Sequence, residues 1–300
     1  MSELFKSRVF LVVAGADLLQ QAGIWIRNMA LLFYIMEQTN NNPAAVALLT
    51  TFEYLPIFVF SLVGGTFADR WNPKRTVVVG DALSALSIGA ILGLVLNGWW
   101  QAAFAATIVS AVVSQFSQPA SSVLFKRHVP ERHVEAAIGF TQSMTAAFMI
   151  AGPLVGTFVY ARFGIEWSLA ALVAVFAAAS LVQLLLPPSP RKRDGGERST
   201  PLKDIREGFR YVAGRHALKI AAVMFLLIGL SAGIVAPLDV FVIMERLGLE
   251  KESRQWFAML EGAGLLIGGA LAAALSGWVD RHRGWIVPWT LVIFGVGTFV

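Results

Sequence analysis

Residues 64–76 read GGTFADRWNPKRT. Apolar sequence leads into this stretch and resumes soon after it. Within seven residues the chain sets down Asp69, Arg70, Lys74 and Arg75, with Asn72-Pro73 breaking the middle. Asn-Pro initiates turns, and each apolar flank is long enough to cross a bilayer, which takes about 17–25 residues. The charged knot therefore reads as a hairpin turn between two transmembrane helices.

The same pattern extends outward in both directions. Apolar spans are predicted at 9–36, 45–68, 76–97, 101–122, 136–160, 165–186, 219–244, 255–279 and 285–300. The 300 residues are 56% hydrophobic and 14% charged, against about 25% charged for a soluble domain. The alternation of a membrane β-barrel is absent, so the class is an all-α polytopic membrane protein. Eight of the nine tryptophans lie at or near span ends, as in interfacial belts; Trp25 is the exception. Without cysteine, the chain has no disulfide and no thiolate chemistry.

Orientation follows from the loops. With the N-terminus in the cytoplasm, 19 of the 24 Lys and Arg residues fall on the cytoplasmic side and four on the other, with Arg27 inside a span. By the positive-inside rule this split fixes the direction, and it accounts for the net charge of +5 without a nucleic-acid partner. The one long connection, 187–218, starts as a breaker-rich linker, PPSPRKRDGGERST. It continues as PLKDIREGFRYVAG, with Leu202, Ile205, Phe209 and Val212 at helical spacing. That second part reads as an amphipathic helix on the cytoplasmic surface. The expected organisation is a six-helix membrane half at 1–186, the linker at 187–218 and a partial second half of three helices at 219–300. The final apolar run, 285–300, is short for a span, which suggests a fragment of a longer protein.

GTFADRWNPKR after span two and SGWVDRHRG after span eight both place Asp-Arg at a cytoplasmic helix end, the second at Asp280-Arg281. Corresponding positions in two halves are the mark of a duplicated transporter. The knot resembles the signature between spans two and three of the major facilitator superfamily: Gly65, Asp69, Arg70, Lys74 and Arg75 match, and Asn72-Pro73 replace the usual Gly and Arg. GIWIRNMALLFYIM and TFEYLPIFVFSLVGGTFADR resemble its bacterial multidrug, macrolide and siderophore exporter branch. The resemblance implies a twelve-helix fold, of which about nine helices are present. It also implies a conformational latch formed by Gly65, Asp69, Arg70, Lys74 and Arg75 with Asp81, Asp280 and Arg281, closing against a helix near span eleven. Asp69 ends its own helix, where the dipole disfavours an anion, so its compensation comes from Arg70 or from that neighbour.

GFTQSMTAAFMIAGPLVGT, residues 139–157, resembles the family's antiporter motif at Gly139, Gly152, Pro153 and Gly156. Phe148 and Thr157 stand where glycine is usual. Gly152-Pro153 permits a bend, and Gly152 with Gly156 permits close helix approach. Two readings stand: a packing kink alone, or an exporter that exchanges substrate for protons. The family's fourth-span arginine is not visible in 101–122.

Ionisable residues inside spans are costly and point to function. Asp17, Gln20, Gln21, Arg27 and Asn28 fall within about 120° of arc on one helix, a stripe that lines a cavity or packs on another helix. Arg27 and Glu53 share a depth and form either a structural ion pair or part of a pathway. Asp81 sits beside the knot and is expected to partner its Arg or Lys residues. Asp239 reaches toward water. Glu261, among glycines, is either a pathway residue or a snorkelling side chain. Burial raises a carboxyl pKa and a nearby cation lowers it, so an acid exposed alternately to two sides can couple proton and drug movement. The proton and substrate pathway is therefore expected at Asp17, Gln20, Gln21, Arg27, Glu53 and Glu261.

Other patterns carry no chemistry. Gly229-Leu230-Ser231-Ala232-Gly233 matches a nucleophile elbow but lies in an apolar helix. His128, His133, His216 and His282 lack metal-ligand spacing, and no Walker lysine is present. The reading is a non-enzymatic, cofactor-free and metal-free secondary exporter of small amphipathic compounds. It works by proton antiport, as a monomer in the bacterial cytoplasmic membrane. The alternatives are a siderophore or lysolipid exporter, and a transport-inactive sensor or scaffold.

Overall fold

The computed structural model describes residues 7–128, 131–187, 201–235, 238–274, and 282, 285 and 289. The calls on Asp280 and Arg281 lie outside the described residues, as do the side chains of Gly65, Asp69 and Arg70.

Local chemistry sets each helix end. In α1 (Arg8–Gln38), Ser7 caps the start by accepting from the Phe10 amide at 3.3 Å. Asn40 and Asn41 then turn the chain with φ of 51° and 58°, a conformation that asparagine tolerates. α2 (Pro43–Arg70) opens on a proline, whose missing N–H costs nothing at a first helical position. The knot repeats this device. Asn72 caps α3 (Pro73–Leu96), its side chain accepting from the Arg75 amide at 3.2 Å, with Pro73 at the first position. The departure from the family pattern at Asn72-Pro73 is thus a cap followed by a helix-starting proline. α4 (Ala102–His128) follows.

α5 (Glu131–Leu184) is interrupted at Gly164, with φ 73° and ψ −174°. Its apolar part, Gly139–Leu184, is 46 residues long. At 1.5 Å per residue that is about 69 Å, more than twice the ~30 Å hydrocarbon core. Two arms, 131–163 and 165–184, therefore each make a crossing. The four-residue loop expected between spans five and six is in fact a single glycine in the left-handed region, where a side chain is disfavoured.

α6 (Pro201–Ala213) is amphipathic, and its residues Arg206–Ala213 meet Leu218–Leu230 of α7 (His216–Val235) at 104°. Within the expected span 219–244, α7 is described to Val235, and the short α8 (Asp239–Phe241) runs into a π-helical turn at Val242–Arg246, so its far end is not regular α-helix. α9 (Arg254–Ala274) completes the described helices.

α1 lies between the two arms of α5, with α3 on the second arm, α4 between α2 and α3, and α9 on the first arm. One apolar cluster gathers Ile26, Met29, Phe33, Ile88 and Leu172. A second, at the Ser7 end of α1, gathers Phe10, Val13, Val77, Leu124 and Leu186. The polar residues of α1 fall mainly between the two.

Candidate functional site

The polar stripe of α1 faces its helix neighbours, and each member reaches a different one. Gln20 Nε2 donates to both oxygens of Asp81 on α3, at 2.9 and 2.8 Å. Gln21 Nε2 donates to Thr145 Oγ1 on the first arm of α5 at 3.2 Å. Arg27 Nη2 donates to Glu53 Oε1 on α2 at 3.2 Å. It also donates to Asn28 Oδ1 at 2.8 Å, with Arg27 Nε on the same oxygen at 3.1 Å. Asp17 is half-buried and has no hydrogen-bond partner among the described residues.

Among the described side chains Asp81 bonds Gln20 and not Lys74 or Arg75, while Arg70, the other basic residue expected to partner it, lies outside them. Lys74 Nζ donates to the Leu184 carbonyl at 2.9 Å and also to the Leu186 carbonyl, so this cation caps the carbonyl end of α5, where the helix dipole favours it. Arg75 is exposed and lines a groove of about 870 Å³ between α3 and α4, with Trp71, Val79 and Phe116. Asp81 sits more than two turns along α3 and is 2% exposed, held by Gln20. At the knot, Gly64 lies against the backbone of Gln115 on α4.

The Arg27–Glu53 pair is the group farther from the knot along α1. Their side chains are 7% and 25% exposed. Tyr54 lies within electrostatic reach of Glu53, Arg254 and Glu261, and Asp239 within reach of Arg254 and Glu261. Arg254 Nη2 is 3.8 Å from Asp239 Oδ2. α1, α2, α8 and α9 thus collect Arg27, Glu53, Tyr54, Asp239, Arg254 and Glu261 in one neighbourhood. Glu261 is exposed, and its neighbour Gly262 packs on the backbone of Met149. Asp239 is tied into this group as well as partly open.

Removing one member of a buried ion pair leaves the other uncompensated, at about 3–5 kcal/mol. Arg27→Leu should fall at the lower end, because Glu53 keeps a quarter of its side chain exposed. The melting temperature of the purified protein is expected to drop in Arg27→Leu and to recover largely in the double variant with Glu53→Leu. Equal melting of the wild type and Arg27→Leu would show that the pair contributes little.

A third contact joins α1 to the segment before α9. Lys251 Nζ is 2.7 Å from Glu37 Oε1, and Tyr160 OH donates to Glu37 Oε2 at 2.6 Å. Lys251 also stands 5.7 Å from the centre of the Phe33 ring, and Val240 and Phe241 are buried in the larger apolar cluster. Sequence reasoning missed Glu37, Tyr160, Lys251 and Arg254, which lie near span ends where a charge raises no alarm. It also missed Thr145, whose signal was a polar residue inside an apolar run.

Two of the antiporter-like glycines, Gly152 and Gly156, are positions of close approach to α1. A side chain on Gly152 would enter the Trp25 ring, and one on Gly156 would meet the Trp25 carbonyl oxygen and Met29. Pro153 is buried between them, while Gly139 is exposed with open space around it. This accounts for Trp25, the tryptophan away from span ends: it seats on the glycine face of α5.

The sequence profile of the Major Facilitator Superfamily matches residues 13–300. The chain is 28% identical over 311 aligned residues to the uncharacterized MFS-type transporter YkuC of Bacillus subtilis (strain 168), covering 99% of this chain and 71% of that protein. It is 22% identical to macrolide efflux protein A of Streptococcus pyogenes, over 85% of this chain and 64% of the relative. The fold is similar to the crystal structure of a D-xylose-proton symporter, with TM-score 0.60 and 14% identity over 90% of this chain and 69% of the other. With helices fit to cross a membrane, a knot of the family's pattern and a profile match over nearly its whole length, this multi-pass membrane protein belongs to the Major Facilitator Superfamily.

Proposed function

We propose that the chain is a secondary exporter of small amphipathic compounds that exchanges them for protons by alternating access. Its N-terminus lies in the cytoplasm, residues 1–186 form the first membrane half, 187–218 the linker, and 219–300 part of the second half. The observation that carries the reading is the retention of Asp17, Arg27 and Glu53 inside an apolar bundle, where each ionisable group is costly. The similarity to a macrolide efflux protein supports the direction of transport and the apolar character of the substrate.

Asp17 suits proton exchange because its half-buried carboxyl is not committed to another side chain among the described residues. Glu53, Tyr54 and Glu261 come from both halves and offer an aromatic surface beside carboxylates. Such a surface holds a compound with apolar bulk and a positive charge. The Glu37–Lys251 pair and Tyr160 seal the outer side in the present conformation and separate when the site opens outward. Asp69, Arg70 and Lys74 of the knot, with Asp280 and Arg281, latch the cytoplasmic side in the opposite state.

Everted membrane vesicles energised with a pH gradient test this reading. Ethidium or a radiolabelled macrolide should accumulate inside, and nigericin should abolish the accumulation by collapsing the gradient. Binding of the same compounds without flux would identify a sensor instead.

A further inference from the structure

Arg75 has no part in the transport reading proposed above. It is the third residue of α3, and no acidic residue occupies the first turn of that helix. The positive end of a helix dipole disfavours a cation, so a basic residue there is stabilised by an anion close by. Its neighbour Lys74 is satisfied by the Leu184 and Leu186 carbonyls. The exposed Arg75 side chain bonds no side chain among the described residues, and it lines the groove of about 870 Å³ between α3 and α4. The groove follows α3 from Arg75 to Leu83, about 12 Å at 1.5 Å per residue. That is within one leaflet of a hydrocarbon core about 30 Å thick. Beyond the guanidinium its walls are Val79 and Leu83 of α3 with Val112 and Val113 of α4. At the Arg75 end Trp71 stacks on Phe116, with ring centres 5.7 Å apart. A side chain on Gly80 would strike Ser117 and Val113, so the two helices touch along the floor. The groove opens toward the bilayer. Val79, Leu83 and Leu86 share one face of a span and are 52%, 51% and 71% exposed, whereas Val77, Asp81, Ser84 and Ile88 on the opposite face are buried. An apolar cleft one leaflet deep, with an uncommitted cation at its surface end, matches a lipid with an anionic headgroup.

We infer that the α3–α4 groove binds one anionic phospholipid of the cytoplasmic leaflet. Arg75 takes the phosphate in a charge-assisted hydrogen bond, and the dipole at the start of α3 adds to the attraction. One acyl chain lies along Val79 and Leu83. Trp71 stands at the headgroup level, where tryptophan is favoured. A zwitterionic lipid fills the same cleft, but its own cation already matches its phosphate, so it gains less from Arg75. Free phosphate lacks the chain that the apolar walls hold. The site is separate from the polar stripe of α1, none of whose residues lines the groove. The choice of leaflet rests on the orientation proposed above, and the lipid chemistry does not.

Native mass spectrometry of the purified, delipidated chain in detergent tests the site. Phosphatidylglycerol or phosphatidylcholine is titrated in, and the bound fractions give dissociation constants. The first phosphatidylglycerol should bind about fivefold tighter than phosphatidylcholine, the effect of one basic residue on an anionic lipid. Arg75→Gln should erase that preference and leave phosphatidylcholine binding unchanged. Val79→Trp, which fills the apolar part of the groove, should weaken both lipids. Arg162→Gln, at an exposed position near the Gly164 turn, should change neither. Inorganic phosphate in excess should not displace the lipid. If Val79→Trp does not fold, the loss of preference in Arg75→Gln still decides. Equal wild-type affinities for the two lipids, or a preference that survives in Arg75→Gln, would overturn the site. Displacement by inorganic phosphate would reduce it to an anion site without a lipid. A dimer in the same spectra that Val79→Trp splits would put a second copy in the groove instead. The leaflet is tested separately, because the chain has no cysteine. Arg75→Cys should react with a membrane-impermeant maleimide in everted vesicles and not in right-side-out ones. The opposite labelling would overturn the leaflet and the proposed orientation while leaving the lipid site standing.

Discussion

Asp17→Asn is expected to abolish the ethidium accumulation that a pH gradient drives, and to leave movement of the dye down its own gradient in place. The substitution keeps the size of the side chain and removes its ability to take a proton. Asp17 has no hydrogen-bond partner among the described residues, so the variant should leave no partner stranded and should melt close to the wild type. The expected loss is at least tenfold in everted vesicles, down to the level seen with nigericin. It separates from a folding defect because energy-independent exchange continues. Unchanged pH-dependent efflux in this variant would remove Asp17 from the pathway.

Gly156→Leu is expected to prevent assembly of the bundle. The obstacle at this position is a backbone atom, the Trp25 carbonyl oxygen, together with Met29, whose Cγ would lie 2.9 Å from the new Cβ. A backbone oxygen inside α1 moves only if the helix moves, and α1 is held between both arms of α5. Inserting bulk into a packed interior costs about 1–3 kcal/mol where neighbours can adjust, and here the neighbour is rigid. The variant should be lost from the monodisperse peak in detergent size-exclusion chromatography. Gly152→Ala should be milder, because it adds a single carbon and the atoms it meets belong to the Trp25 side chain and not to the backbone. Similar elution of Gly156→Leu and wild type would show that the α1–α5 contact tolerates separation.

The membrane class and the knot were legible because hydropathy and turn chemistry act locally. Asn72 and Pro73 announce a cap and a first helical turn, and the structure uses them so. The stripe on α1 was legible as one face of a helix, since periodicity fixes which residues share a side. Its partners were not, because periodicity says nothing of the element opposite. Asp81 shows the difference. In sequence it lies near Lys74 and Arg75, yet α3 carries it away from the turn and toward Gln20, while Lys74 turns to the end of a helix about 110 residues later in the chain. The group around Glu53 escaped for the same reason, since Asp239, Arg254 and Glu261 come from elements about 200 residues further on. Trp25 was an anomaly of position until the glycines of α5 supplied its seat.

The central claim is that substrate and proton compete for one transporter, and proton release on substrate binding tests it most directly. Purified protein in weakly buffered solution is mixed with ethidium or a macrolide while pH is recorded. The account predicts acidification that saturates with the compound, weakens as the starting pH is raised until Asp17 is already deprotonated, and vanishes in Asp17→Asn. Saturable binding of the compound with no proton release at any starting pH would contradict it.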